Sequence, residues 1–141
     1  IGHVRSPYRE RKDAPRQGQL ADAVSEIIID PPYRAGLFRL EEMKHLFVLC
    51  WFDRAERTTL RAIPPHNPVE HGVFATRYPY RPNPIGFSIF RLLSREGNIL
   101  TVEGMDVLDG TPLLDIKPYV PDFDHRTEDV RVGWYETRSK K

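Results

Sequence analysis

The residues best suited to chemistry stand in two short segments, Arg77-Tyr-Pro-Tyr-Arg-Pro-Asn-Pro-Ile-Gly86 and Asp109-Gly-Thr-Pro-Leu-Leu-Asp-Ile-Lys-Pro-Tyr119. Arginine grips carboxylates and phosphates through two parallel hydrogen bonds, so Arg77 and Arg81 suit an anionic ligand group. Asn83 carries both donor and acceptor, which fits either a base edge or its own backbone. Asp106, Asp109 and Asp115 set three carboxylates close together in the chain, beside Lys117 and Tyr119. Such carboxylates can accept from the hydroxyls of a ribose or attract a cationic ligand centre. Asp109-Gly110 is also an ordinary turn signal, and Asp115 with Lys117 also fits a surface ion pair of small energetic weight. Proline fixes φ and glycine permits conformations that other residues avoid, so both segments are expected to be rigid walls of one pocket.

Those walls need a scaffold. The 141 residues fit one domain, and 40% hydrophobic with 11% aromatic residues can build a core. Thirteen prolines spread along the chain limit long helices. Strand-like runs dominate: Glu26–Asp30, Leu46–Phe52, Gly72–Thr76, Phe87–Leu93 and Ile99–Glu103, with Arg95–Asn98 as the turn joining the last two into a hairpin. Leu40–His45 reads as one or two helical turns, and Thr127–Glu136 is compatible with either period. Short strands without repeating strand–helix units predict an all-β to mixed fold, a small antiparallel β-barrel with short helical segments in a single domain over residues 1–141.

Several function classes are disfavoured. Neither a G-x-G-x-x-G turn nor a P-loop pattern occurs, which argues against a Rossmann-type nucleotide site. His3, His45, His66, His71 and His125 form no metal-ligand spacing, and no metal is expected. The lone Cys50, inside an apolar run, reads as a buried small hydrophobe and excludes an internal disulfide. No stretch approaches the ~20 apolar residues of a membrane span, so a soluble cytoplasmic protein is expected. A formal net charge of +1 does not announce a nucleic-acid binder, yet Arg5, Arg9, Arg11, Lys12 and Arg16 form a local basic patch against Glu10 and Asp13.

Taken together, these motifs resemble one family, the small β-barrel TrmO methyltransferases. That family uses S-adenosylmethionine to methylate N6 of threonylcarbamoyladenosine at position 37 of tRNA. The likeness runs through Ile1–Tyr8, Pro15-Arg-Gln17, Leu40–Phe52, Gly72–Arg77, Arg81-Pro-Asn-Pro-Ile-Gly86, Asp109-Gly-Thr-Pro112 and Asp115-Ile-Lys-Pro-Tyr119. Tyr78 departs from it, standing where a small hydroxylated residue is expected, and the chain ends where some relatives continue into a further domain. The resemblance implies a homodimer with the cofactor near the subunit boundary. It assigns cofactor binding to Pro15, Arg16, Gln17, Phe52, Asp53, Arg77, Gly104, Met105, Asp106 and Asp109.

The tRNA anticodon loop is the implied partner, with Tyr80, Arg81, Asn83 and Lys117 on the substrate side. Its unstacked bases suit Tyr78, Tyr80 and Arg81, and its phosphates suit Arg5, Arg9, Arg11 and Lys12. Methyl transfer from a sulfonium is an in-line displacement, so positioning dominates catalysis. Asp115 and Tyr119 are the candidates to accept the N6 proton, with Asp109 as competitor. The competing expectation is a barrel that binds S-adenosylmethionine or a nucleotide without transferring anything.

Overall fold

The computed structural model describes residues 1–10, 12 and 23–138. The chain forms two compact units, Ile1–Asp53 with Ile85–Tyr119 and Arg54–Pro84 with Val120–Lys141.

The first unit is a closed six-stranded barrel. Its strands are β1 (Gly2–Arg5), β2 (Val24–Ile29), β3 (His45–Trp51), β6 (Ile85–Glu96), β7 (Ile99–Glu103) and β8 (Pro112–Pro118), in the order β1-β2-β7-β6-β3-β8. Every neighbouring pair is antiparallel. Strand alternation decides which side chains go inside. Along β3, Leu46, Val48 and Cys50 are buried while Phe47, Leu49 and Trp51 point outward. Val4, Ile27, Ile29, Phe90, Leu92, Leu100, Val102 and Leu113 complete the filling from the other five strands. β6 and β7 form the expected hairpin, with Glu96 opposite Ile99.

Two strands escape the sequence reading. β1 is short, and β8 is flanked by prolines; both look like loop from composition. Pro112 and Pro118 sit at the two ends of β8, the places where a strand tolerates a missing amide donor. The segment expected to be a pocket wall is therefore a turn at Asp109–Thr111 followed by a barrel strand. The Leu40–His45 expectation shrinks to a 3-10 turn, Leu40–Glu42, before β3 begins at His45.

The second unit holds a two-stranded ladder of β4 (Arg61–Ala62) and β5 (His71–Gly72). The strand expected over Gly72–Thr76 stops at Gly72, and Val73–Ala75 is a 3-10 turn. Local bonds win there: Thr76 donates to the Val73 carbonyl from both its amide, at 3.1 Å, and its hydroxyl, at 3.0 Å. The ambiguous C-terminal stretch ends in a 3-10 helix, Gly133–Arg138, and in no strand.

Gly86, paired with Cys50 on β3, shows why the Pro-Ile-Gly motif ends in glycine. A Cβ at this position would lie 2.2 Å from Cζ of Phe52. Removing that atom lets the Phe52 ring pack on the barrel core. Gly86→Ala is expected to destabilise the fold by about 1–3 kcal/mol, the usual range for overpacking. A denaturant midpoint that falls at constant slope checks it.

Candidate functional site

Antiparallel closure sorts the connections. β1, β3 and β7 run one way and β2, β6 and β8 the other, so three connections leave the same end of the barrel. They join β1 to β2, β3 to β6 and β7 to β8. The candidates Phe52 and Asp53 open the second connection, and Gly104, Met105, Asp106 and Asp109 fill the third. Pro15, Arg16 and Gln17, between β1 and β2 in the chain, lie outside the described residues, as does Arg11.

The β7–β8 connection is tied to the exit of β1. The Ser6 amide donates to Asp109 Oδ1 at 3.0 Å, and the Ser6 hydroxyl to the Val107 carbonyl at 2.6 Å. The Asp109 amide donates to the Tyr8 carbonyl at 2.7 Å, and the Gly110 amide to the Val4 carbonyl at 2.8 Å. Gly110 adopts φ 80°, the left-handed turn geometry that the Asp-Gly pair predicts. Asp109 thus holds the connection in place. Ser6 was missed as a site residue because its partner is about a hundred positions away, and no local spacing reveals such a pair.

Within this strapped connection Met105 and Val107 are buried and plug the barrel end, while Asp106 between them is half-buried. Burial pushes the Asp106 carboxyl above the usual carboxylate range. The neighbouring Cys50 thiol is pushed up to about 12 by burial and, secondarily, by the charge of Asp106. A carboxylate held against apolar surroundings can attract a cationic, partly apolar ligand more strongly than one in water. Cys50, in contrast, is a poor nucleophile. It is expected to resist iodoacetamide at neutral pH in the folded protein and to react after unfolding, which intact-mass measurement reads directly.

The structure does not bring Asp115, Lys117 and Tyr119 to this end. Asp115 stands midway along β8, opposite the outward-facing Leu49, and its Oδ1 accepts from the Ile116 amide at 2.8 Å. Its other oxygen lies 3.6 Å from Lys117 Nζ, a half-exposed pair with the geometry of an ordinary surface ion pair. The Tyr119 amide donates to the carbonyl of His45, at the opposite barrel end. All three line the outside of the barrel along an apolar face. There Phe47 stacks on Phe87 at 4.8 Å, Tyr119 meets Phe47 edge-on at 5.6 Å, and Ile85, Phe87 and Ile89 are 44–48% exposed.

In the second unit, Arg81 closes its own loop. Its Nη1 donates to the carbonyls of Thr76 at 2.9 Å and Tyr78 at 3.3 Å. Asn83 Oδ1 accepts from Arg57 at 3.4 Å, while Arg57 Nε donates to the Pro82 carbonyl at 2.8 Å. These bonds tie both side chains to neighbouring groups of the second unit. Tyr78 and Tyr80 meet edge-on at 5.4 Å. Arg77 is exposed, and its amide donates to Tyr135 Oη at 3.1 Å. The basic patch is partly spent: Arg5 pairs with Glu26 at 2.7 Å and Lys12 with Glu10 at 2.9 Å. Among the described residues no helix is long and apolar enough to cross a membrane.

The same pattern occurs in known proteins. An S-adenosyl-L-methionine-binding protein of Archaeoglobus fulgidus is 50% identical over 124 residues, covering 88% of this chain and 89% of its own. The tRNA (adenine(37)-N6)-methyltransferase of Escherichia coli (strain K12) is 40% identical over 132 residues, 86% of this chain and 56% of its own. The crystal structure of TrmO from Pseudomonas aeruginosa superposes with a TM-score of 0.77 at 40% identity, covering 94% of this chain and 59% of that one. The chain thus spans little more than half of the latter two proteins, and 37% of a longer Archaeoglobus fulgidus relative. Residues 3–125 match the tRNA-methyltransferase O N-terminal domain, and the chain belongs to that family.

Proposed function

We propose that this chain is an S-adenosylmethionine-dependent methyltransferase that modifies N6 of threonylcarbamoyladenosine at position 37 in the anticodon loop of tRNA. The observation that carries the cofactor half is the barrel end, where a half-buried Asp106 stands between the buried Met105 and Val107 in the connection from β7 to β8. A carboxylate in apolar surroundings suits a ligand with a cationic sulfonium and amino group. The names of the Archaeoglobus fulgidus and Escherichia coli relatives support the same reading. When bound, the cofactor supplies an electrophilic methyl group. Asp106 orients its cationic part, Phe52 and Met105 exclude water, and Asp109 fixes the connection that carries them. The family resemblance supports Arg77 as a further cofactor-binding residue.

The chain works in the cytoplasm as a homodimer. Asp115, Lys117 and Tyr119 border an apolar outer face of the barrel, so a second copy covering that face would set them at the subunit boundary. In that position Asp115, assisted by Tyr119, accepts the N6 proton as the new bond forms, while Lys117 faces the RNA; the family resemblance supports Tyr80 as a further substrate-side residue. Asp115→Ala is then expected to lower turnover about 100-fold, the lower range for a general base, with cofactor affinity unchanged. Normal turnover in that variant removes the assignment.

A second reading is favoured by the name of the Archaeoglobus fulgidus relative, which records binding alone. One pair of measurements separates the two. Calorimetric titration with S-adenosylmethionine should show binding, and methylation should occur on tRNA carrying the threonylcarbamoyl group and fail on tRNA lacking it. Binding without transfer selects the second reading. No binding sinks both.

A further inference from the structure

The C-terminal helix Gly133–Arg138 lies beyond the matched domain, residues 3–125, yet it is bonded to the segment that carries Arg77. Two adjacent side chains make the attachment. Trp134 Nε1 donates to the Ala75 carbonyl at 2.8 Å, and Tyr135 Oη accepts from the Arg77 amide at 3.1 Å. The two rings stack on each other at 3.8 Å with 27° between planes, and His71 packs against Trp134 at 5.5 Å. The stack therefore grips both main-chain groups as one rigid piece, with low rotational freedom in either ring.

Other restraints on the Val73–Tyr78 turn include the Val73 amide, which donates to the Leu60 carbonyl at 3.0 Å, and several local bonds. Thr76 bonds back to Val73, its hydroxyl accepts from the Tyr78 amide at 3.2 Å, and Arg81 caps Thr76 and Tyr78. Trp134 and Tyr135 add bonds to the Ala75 carbonyl and the Arg77 amide themselves. Arg77 itself projects outward with its side chain exposed.

We propose that Trp134 and Tyr135 are positioning residues: a latch from outside the family domain that fixes the backbone at Arg77 and thereby aims its guanidinium at the ligand. This inference rests on the role given to Arg77 above. A guanidinium on an unlatched turn must lose that freedom when it binds, which weakens affinity without altering any contact.

The test uses the full chain. Tyr135→Phe keeps the aromatic ring and removes the hydroxyl that accepts from the Arg77 amide. It is expected to weaken S-adenosylmethionine binding about fivefold, which converts to about 1 kcal/mol, the size of one ordinary hydrogen bond. Thermal stability should stay near that of the wild type. The same change in an Arg77→Ala background should alter affinity by less than about twofold, because the latch acts through Arg77. Amide exchange at Arg77 should accelerate in Tyr135→Phe with or without ligand.

Trp134→Phe, which retains a ring but removes the donor, should reproduce both effects. Additive losses in the Arg77→Ala background, or wild-type affinity in Tyr135→Phe, overturn the proposal. Arg77→Ala that binds as the wild type does removes Arg77 from the site and the latch function with it. If the wild-type chain shows no affinity, the methyltransferase reading fails on its own, and unchanged Arg77 exchange in Tyr135→Phe then decides against the latch.

Discussion

Asp106→Asn is expected to weaken S-adenosylmethionine binding about 10- to 100-fold, the range that ~1.5–3 kcal/mol for a charged partner implies, while leaving the fold as stable or more so. The reason lies in the sign of the shift. Burial raises the Asp106 carboxyl above its ordinary value, so folding favours its neutral form. The associated stability is present at low pH and is lost as pH rises through the raised folded value. At neutral pH the charged carboxylate is a burden on the fold, and a neutral amide of the same shape removes it. Strain of this kind is kept where a ligand offsets it, and a bound cation does so directly. Cofactor affinity in the wild type should therefore climb as pH rises through the Asp106 titration and be flat over that range in Asp106→Asn. Calorimetry across a pH series, with melting curves at each point, reads both quantities. Equal affinity in the two proteins, or a large fall in melting temperature, would falsify the assignment.

The barrel was legible from β-branched and aromatic runs because β2, β3, β6 and β7 carry their own alternation. β8 was not, since its prolines and charges resemble a loop; its strand character comes from neighbours on both sides, β1 and β3. The same override works in reverse at Val73–Ala75, where apolar residues make a turn because the ladder opposite them is two residues long. For Phe52, Asp53, Gly104, Met105, Asp106 and Asp109, topology explains the scatter: connections far apart in sequence leave one barrel end because alternate strands finish there. What motifs cannot reveal is which polar side chains serve the scaffold. Arg81, Asn83 and Asp109 are good ligand-binding types, yet each has a main-chain or side-chain partner fixed only by folding. Tyr135 and Trp134 show the opposite failure. Their stretch fits either period, and its importance lies in two bonds to residues about sixty positions earlier.

If the proposed homodimer forms through the outer face of β3 and β6, Phe87→Glu is expected to convert it into a monomer at micromolar concentration, while the barrel itself melts within a few degrees of the wild type. Phe87 faces outward from β6, 48% exposed, and its ring is stacked on Phe47 of β3. Ile85 and Ile89 flank it on the same strand, and Leu49 lies opposite in the register. Aromatic and branched residues on the outside add nothing to the barrel core, and the proposed second copy would bury them. Aromatic anchors at the centre of such a face commonly contribute about 2–4 kcal/mol, and a carboxylate there adds the penalty of a buried unpaired charge. The dimer constant should weaken at least 100-fold, which light scattering on a dilution series measures. Activity adds a second reading. Asp115, Lys117 and Tyr119 border this face, so the monomer should retain cofactor binding at Asp106 yet lose methyl transfer. A Phe87→Glu protein that stays dimeric, or a monomer with full turnover, removes the subunit boundary from the mechanism and returns Asp115 to the role its geometry already supports, a surface ion pair with Lys117.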